Sequence, residues 1–179
     1  MDRYTDHGPN GLSCDEAGNV MRRYAGEAVA KHASKGFAQR LYPHGLEMIA
    51  LLRTLGLPVV LSDGDVVFQP RKIQRSGIWD AVEGRVLIYL HKERMLDAMQ
   101  RRFPASHYVM IDDKPLFLAA MKRVMRHRMT TIFVRQGHYA IESKGISINP
   151  APDMTVEHIG VLRALSLSDL RASTAAPAV

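Results

Sequence analysis

Three predicted strands end in side chains that could bind a phosphate group and a divalent cation. Ser62 follows the first of these apolar runs, and Lys92 closely follows the second. Asp112 and Asp113 directly follow the third. Adjacent carboxylates suit a hard cation such as Mg²⁺, which takes oxygen ligands and keeps several waters. A lysine ammonium offsets charge on a phosphoryl oxygen, and a serine hydroxyl can hold another. These residue types therefore indicate a site for a phosphorylated ligand and Mg²⁺.

Each of these residues also has a purely structural interpretation. Ser62 could cap a turn or a helix, and Lys92 could be a solvated side chain near a helix start. Asp112 and Asp113 could cap the helix that follows them and interact with its dipole. The functional interpretation rests on the coincidence of complementary groups after three separate strands.

The elements that would position these residues alternate between strand and helix. The predicted strands cover residues 58–61, 86–90, 108–111 and 130–134, with a short last strand at Thr155–Val156. The predicted helices cover residues 44–55, 69–74, 93–102, 116–126 and 159–165. Such alternation predicts an α/β fold, a Rossmann-like doubly wound parallel sheet with helices on both faces. In these sheets ligands bind beyond the carboxyl ends of the strands.

The N-terminal segment predicts a helix outside this sheet. Ser13 and Glu16 form a capping box, and apolar residues from Val20 to Val29 then recur at helical spacing. The predicted domains are a helical cap-like segment at residues 1–41, a core at 42–170 and a disordered tail at 171–179.

Composition excludes several classes of protein. The chain has 179 residues, of which 46% are hydrophobic, enough for a real core. No apolar stretch approaches the roughly 20 residues needed to span a bilayer, and the polar N-terminus is no secretory signal. The single cysteine, Cys14, cannot form an internal disulfide. We therefore expect a cytoplasmic protein without a membrane partner.

The charge is basic, with a formal net charge of +6 and a pI near 9.7. Basic residues are scattered over predicted helices, without a long run and with few aromatic residues between them. This pattern favours a solvated surface that attracts small anions over a nucleic-acid-binding surface, which is kept as an alternative.

Four segments, taken in order, resemble the motifs of the haloacid dehalogenase-like superfamily of hydrolases. Residues 59–65 look like the second motif, a strand ending in Ser or Thr, and Lys92 falls where the third-motif lysine is expected. Residues 109–113 are similar to the acidic fourth motif. Residues 131–137 resemble the next strand and its glycine-containing loop. The resemblance covers roughly residues 40–165.

The resemblance implies a Rossmann-like fold and Mg²⁺-dependent hydrolysis of a small phosphorylated metabolite. In this family an aspartate attacks phosphorus, and water then hydrolyses the aspartyl-phosphate. By resemblance, Ser62 binds a phosphoryl oxygen, Lys92 stabilises charge, and Asp112 and Asp113 bind Mg²⁺. Dehalogenase and phosphonatase chemistry remain as alternatives within the family.

The first motif of the family, a strand followed by Asp-x-Asp, is not found in residues 1–57. Its first aspartate is the nucleophile, so we expect the nucleophile to be missing, through truncation of the N-terminus or degeneration. In a competing placement, Asp63 is the nucleophile and Asp65 the general acid/base. That placement leaves Ser62 without a role, and it leaves no strand ending in Ser or Thr before Lys92.

Three hypotheses follow from the sequence. The first is a hydrolase of this family, a phosphatase whose nucleophile is lost from this chain, so that activity is in doubt. The second is a non-catalytic protein that keeps the phosphate and Mg²⁺ site. The third is a basic nucleic-acid-binding protein. The oligomeric state and the identity of the substrate stay open at this stage.

Overall fold

The computed structural model describes residues 13–14, 20–21, 41–63, 68–89, 95–166 and 168–169. The chain divides into two compact units. The first unit comprises Met1–Leu41 and Leu57–Phe103, and the second comprises Tyr42–Gly56 and Pro104–Val179. The domain boundaries expected from the sequence stay a prediction.

Two short strands stand near the N-terminus. β1 (Ser13–Cys14) pairs antiparallel with β2 (Val20–Met21), and Ser13 lies opposite Met21. The helix predicted from Ser13 is therefore wrong at these four residues, and the rest of it lies outside the described residues. A capping box is a purely local signal. The sequence between the strands contains Gly18 and Asn19, residue types that also favour hairpin turns.

The first unit contains a pair of parallel strands and three helices. In chain order these are β3 (Val60–Asp63), α2 (Phe68–Arg75), α3 (Ile78–Ala81), β4 (Val86–Tyr89) and α4 (Met95–Arg102). β3 pairs with β4 from Val60 opposite Val86 to Asp63 opposite Tyr89. Three of the four residues of β4 are buried, as expected for a strand of a parallel sheet.

The end of α2 is fixed by a buried serine and a glycine. The Ser76 hydroxyl donates a hydrogen bond to the Ile73 carbonyl at 2.8 Å. Gly77 follows with φ of 80°, in the left-handed region that favours glycine. The helix stop predicted at Ser76 and Gly77 is therefore confirmed.

The second unit is built on a three-stranded parallel sheet. Its elements are α1 (Gly45–Leu55), β5 (Tyr108–Asp112), α5 (Pro115–Met125), β6 (Met129–Val134), α6 (His138–Glu142), β7 (Met154–Val156) and a 3₁₀ helix at Ile159–Ala164. β6 lies between β5 and β7. Five of the six residues of β6 are buried, among them the polar Thr130 and Thr131, as expected for the central strand of a parallel sheet.

Helices cover this sheet through apolar side chains. α5 packs against β5 and β6 and buries side chains at helical spacing, among them Leu118, Met121 and Met125. Met48 of α1 joins a separate cluster with Ile132, Val134, Val156 and Leu162. Full burial of one such side chain contributes roughly 1.5–3 kcal/mol.

The predicted parallel α/β class is confirmed, and the differences lie mostly at element ends. The helix predicted at residues 159–165 is a 3₁₀ helix at Ile159–Ala164, and α6 was not predicted. Among the described residues, no helix combines the length and apolar character that crossing a membrane requires.

Candidate functional site

β5 delivers two carboxylates at its carboxyl end. Asp112 is the last residue of the strand, and Asp113 follows it directly. The Lys114 backbone N–H donates a hydrogen bond to Asp112 Oδ1 at 2.8 Å. Lys114 precedes the first residue of α5, so this contact holds one Asp112 oxygen in the turn before the helix and does not cap the helix itself. The two carboxylates therefore differ, because one is engaged by the backbone of the turn.

Asp113 is half-buried, and its side chain makes no hydrogen bond or ion pair with another described residue. The ammonium of the adjacent Lys114 lies 4.3 Å from the centre of the Tyr139 ring. Removing a carboxylate from water without a compensating partner is costly. Within the described part of the chain, no polar group compensates the Asp113 carboxylate.

Gly137 brings the loop after β6 against this carboxylate. A Cβ atom placed on Gly137 would lie 2.7 Å from Asp113 Oδ2 and 2.9 Å from the Tyr42 hydroxyl oxygen. Gly137 has φ of 97° and ψ of 177°, a backbone region that is essentially restricted to glycine. Glycine at this position therefore permits this backbone conformation, and it leaves room for the Asp113 and Tyr42 oxygen atoms beside the Gly137 backbone.

The loop that carries Gly137 is hydrogen-bonded to the end of β7 and to the segment after it. The Arg135 N–H donates to the Val156 carbonyl at 2.8 Å. The Ile159 N–H donates to the Gln136 side-chain oxygen at 3.0 Å. We call residues 112–114 and 135–138, at the carboxyl ends of β5 and β6, the carboxyl edge of the second unit. The backbone of Arg135 makes one contact and the side chain of Gln136 makes the other, so both hold the part of the loop that precedes Gly137.

Histidine is an unpromising ligand at this edge. His138 is exposed, and its Nε2 lies 3.0 Å from Glu142 Oε1, one helical turn away. Across the described residues, no group of three or more His, Cys, Asp and Glu side chains is arranged to hold a metal ion. Two carboxylates nevertheless suit Mg²⁺, because this ion keeps several of its waters when it binds.

In the first unit, β3 carries Ser62 and Asp63. Both lie within the strand, opposite Ile88 and Tyr89 of β4, whereas the sequence predicted that the strand ends at Leu61. Backbone pairing with β4 extends the strand by two residues, because parallel pairing satisfies their N–H and C=O groups. Ser62 is half-buried.

The remaining predicted site residues lie outside the described residues. These are Asp65 and Lys92, together with the side chain of Asp63. The structure therefore places Ser62 in one unit and Asp112 and Asp113 in the other. The roles assigned to all six residues stay predictions.

Tyr42 and Gly137 were not identified as site residues from the sequence. Tyr42 precedes α1 and is far from Asp113 in sequence, so no local motif connects them. The positive φ of Gly137 was hinted at only by a glycine after a strand, a common signal. Their relation to Asp113 is visible only in the folded unit.

Comparisons with known proteins place the chain in a family. No protein-family model matches the chain, and no curated protein matches it. Among solved structures, the chain is similar to the crystal structure of a "putative haloacid dehalogenase-like hydrolase" from Burkholderia xenovorans LB400. The two are 56% identical with a TM-score of 0.72, over 76% of this chain. The match spans 63% of the length of that protein. Identity at this level, together with the parallel α/β fold, shows that the chain belongs to the haloacid dehalogenase-like superfamily.

Proposed function

We propose that this protein is a Mg²⁺-dependent hydrolase of phosphate esters that acts on a small phosphorylated metabolite. The observation that carries the proposal is the adjacent pair Asp112 and Asp113 at the carboxyl end of β5. Ligands of parallel α/β sheets bind at this end of the strands. The proposal is also supported by the similarity to a protein named as a hydrolase of this family.

The donor atoms on this edge fit Mg²⁺. Asp112 and Asp113 would each contribute carboxylate oxygens, and the Lys114 N–H, which donates to Asp112 Oδ1, would help to orient the first of them. When bound, Mg²⁺ would offset negative charge on the phosphoryl group as that charge shifts during transfer.

The other predicted residues would handle the phosphate itself. The Ser62 hydroxyl would donate a hydrogen bond to a phosphoryl oxygen, and the Lys92 ammonium would offset charge on another. In the family mechanism a carboxylate oxygen bonds to phosphorus while the ester oxygen leaves with the alcohol. Water then cleaves the resulting aspartyl-phosphate. Under the competing motif placement, Asp63 would supply that carboxylate and Asp65 the proton for the leaving alcohol.

The test is hydrolysis of p-nitrophenyl phosphate with and without Mg²⁺. We expect turnover that requires Mg²⁺ and falls at least about 100-fold in Asp113→Asn, the size of effect that loss of charge stabilisation produces. Asp97→Asn, an exposed carboxylate of α4, is the matched control and should retain full activity. Abolition by Asp63→Asn would identify Asp63 as the nucleophile. Turnover that is unchanged by removal of Mg²⁺ or by Asp113→Asn would contradict the proposal.

The second candidate is a non-catalytic protein that binds phosphate and Mg²⁺. It rests on the same pair, Asp112 and Asp113, since binding of a cation and of phosphate requires no nucleophile. Calorimetric titration with Mg²⁺ and inorganic phosphate separates the two candidates. Binding of both ions without any turnover would establish the second candidate and exclude the first.

A further inference from the structure

A lysine at the carboxyl edge is held against an aromatic ring from another part of the second unit. Lys114 directly follows Asp112 and Asp113, and Tyr139 is the second residue of α6. The Lys114 ammonium lies 4.3 Å from the centre of the Tyr139 ring, within the range of a cation–π contact. This contact joins the segment after β5 to the segment after β6, so the position of the ammonium depends on both.

The backbone of this lysine is held as well. The Lys114 N–H donates a hydrogen bond to Asp112 Oδ1 at 2.8 Å, which ties the start of the side chain to the pair of carboxylates. Lys114 is half-buried, whereas Tyr139 is 48% exposed. The ammonium therefore lies beside the carboxyl edge, against a ring that solvent reaches.

The contact with the ring leaves the charge of the ammonium in place. Arg135, a second cation of this edge, lies 3.1 Å from a carboxylate oxygen of Glu157, and that ion pair offsets its charge. The Tyr139 ring is neutral, so it positions the Lys114 ammonium without cancelling its charge. An ammonium also carries three N–H donors, and an anion can accept one of them while the ring contact persists.

We infer that the substrate carries a second anionic group, a carboxylate or a further phosphate, and that Lys114 determines specificity by binding it. The inference rests on the proposed function, which assigns the first phosphate to Mg²⁺ and to other side chains. Two carboxylates balance the charge of a bound Mg²⁺, so Lys114 adds a positive charge to the occupied edge. An ammonium and an anion form a charge-assisted hydrogen bond, roughly twice as strong as a neutral one. Tyr139 is the positioning residue for this ammonium.

The test compares three phosphonates, in which a carbon–phosphorus bond replaces the ester bond that the proposed activity cleaves. Propylphosphonate has one anionic group, phosphonopropionate adds a carboxylate, and propylene diphosphonate adds a second phosphonate. Calorimetric titration in the presence of Mn²⁺, a paramagnetic substitute for Mg²⁺, measures their affinities. The wild type should bind one of the two doubly anionic ligands about 10-fold more tightly than propylphosphonate, the lower end of what a hydrogen bond between charged groups contributes. The ligand that is preferred identifies the second group as a carboxylate or a phosphate.

The variants show whether Lys114 causes this preference. Lys114→Gln should remove it and leave the affinity for propylphosphonate unchanged, whereas a merely structural role would weaken all three phosphonates alike. Tyr139→Leu should reduce the preference, and Tyr139→Phe, which keeps an aromatic ring, should retain most of it. The matched control is Lys144→Gln, at an exposed lysine of the same unit, which should bind all three ligands as the wild type does.

Binding of Mn²⁺, measured by electron paramagnetic resonance of the free ion, separates this inference from the proposed function. If Asp113→Asn leaves Mn²⁺ binding unchanged, Asp113 is no ligand and the proposed function fails. If Asp113→Asn removes Mn²⁺ binding and Lys114→Gln keeps the preference of the wild type, only the inference about Lys114 fails. The inference also fails if the wild type binds the three phosphonates equally well or not at all. Lys114→Gln should itself bind Mn²⁺ normally, since glutamine keeps the backbone N–H that donates to Asp112.

Discussion

The two ends of the three-stranded sheet in the second unit differ in whether the aspartate found there is paired with other side chains. At the amino ends of β6 and β7, Asp153 pairs with Lys122 at 2.8 Å and accepts hydrogen bonds from the N–H and the hydroxyl of Thr131. We call Lys122, Thr131 and Asp153 the amino-end network. At the carboxyl edge, Asp113 has no such partner among the described residues.

The paired Asp153 therefore stabilises the fold, whereas Asp113 is accessible to the ligand that we propose. Each partner in the amino-end network satisfies another, and the Lys122 ammonium also donates to the Met129 carbonyl. A buried charge is tolerated when it is paired and hydrogen-bonded in this way. An aspartate without these contacts adds little to stability, which agrees with the proposed role of Asp113 as a cation ligand.

The largest expected effect on stability comes from breaking the amino-end network. Asp153→Ala should lower the free energy of unfolding by about 3 kcal/mol, because it leaves Lys122 uncompensated. The two side chains are only 17% and 13% exposed, so water screens the pair little. Urea denaturation measures the loss.

The matched control for Asp153→Ala is Glu157→Ala. Glu157 pairs with Arg135 at 3.1 Å, and both side chains are mostly exposed. Its loss should cost less than about 0.5 kcal/mol, as is usual for surface ion pairs. Equal losses in the two variants would show that the amino-end network contributes no more than a surface pair.

An intermediate effect is expected at Gly137. Gly137→Ala should lower the free energy of unfolding by about 2 kcal/mol, since alanine is strained in this backbone region. It should also displace Asp113 or Tyr42 and weaken Mn²⁺ binding. Gly145→Ala tests strain alone, because Gly145 also has a positive φ, of 81°, but open space around it. If both variants bind Mn²⁺ equally well, the close approach at Gly137 has no role in binding.

A small effect on stability is expected at Asp113 itself. Asp113→Asn should change the free energy of unfolding by less than about 0.5 kcal/mol, because Asp113 makes no hydrogen bond or ion pair with a described residue. The same variant should lose Mn²⁺ binding. A destabilisation as large as that of Asp153→Ala would mean that Asp113 contributes as much to folding stability as Asp153 does.

The smallest effect is expected at Asp169, an exposed carboxylate outside the carboxyl edge and the amino-end network. Hydrogen bonds from the hydroxyl and the backbone N–H of Ser166 lower the pKa of Asp169. This stabilising effect is present above the ordinary pKa of an aspartate and is lost as the pH falls through the lowered value. Ser166→Ala should raise the pKa of Asp169 toward the ordinary value, as measured by NMR titration. An unchanged titration would show that the hydroxyl does not hold this carboxylate.

Sequence patterns predicted the strands and the longer helices of residues 41–165 in their order, but not the short helices α3 and α6. Apolar periodicity indicates which side chains are buried, and a helix of four or five residues is too short to show it. β6 was predicted to within one residue, and Gly56 ends α1 as expected. The N-terminal hairpin was missed, since antiparallel pairing is a non-local contact. The 3₁₀ form of Ile159–Ala164 was missed because its apolar spacing does not differ enough from that of an α-helix.

The candidate site was predicted only in part, for a related reason. Asp112 and Asp113 could be identified because a strand and its following carboxylates are adjacent in sequence. Tyr42 and Gly137 could not, since their relation to Asp113 arises from tertiary contacts. The Lys122–Asp153 pair was missed for the same reason, although both residues are charged and visible in the sequence.

The hydrogen bond from the Ile159 N–H to the Gln136 side chain has a consequence for following the motions of this region. The amide proton of Ile159 can exchange with solvent only when the loop that carries Gly137 separates from the 3₁₀ helix. Deuterium uptake at Ile159 therefore reports opening of the carboxyl edge from a residue that touches neither carboxylate. A cation that stabilises the closed loop would slow that uptake in proportion to its occupancy.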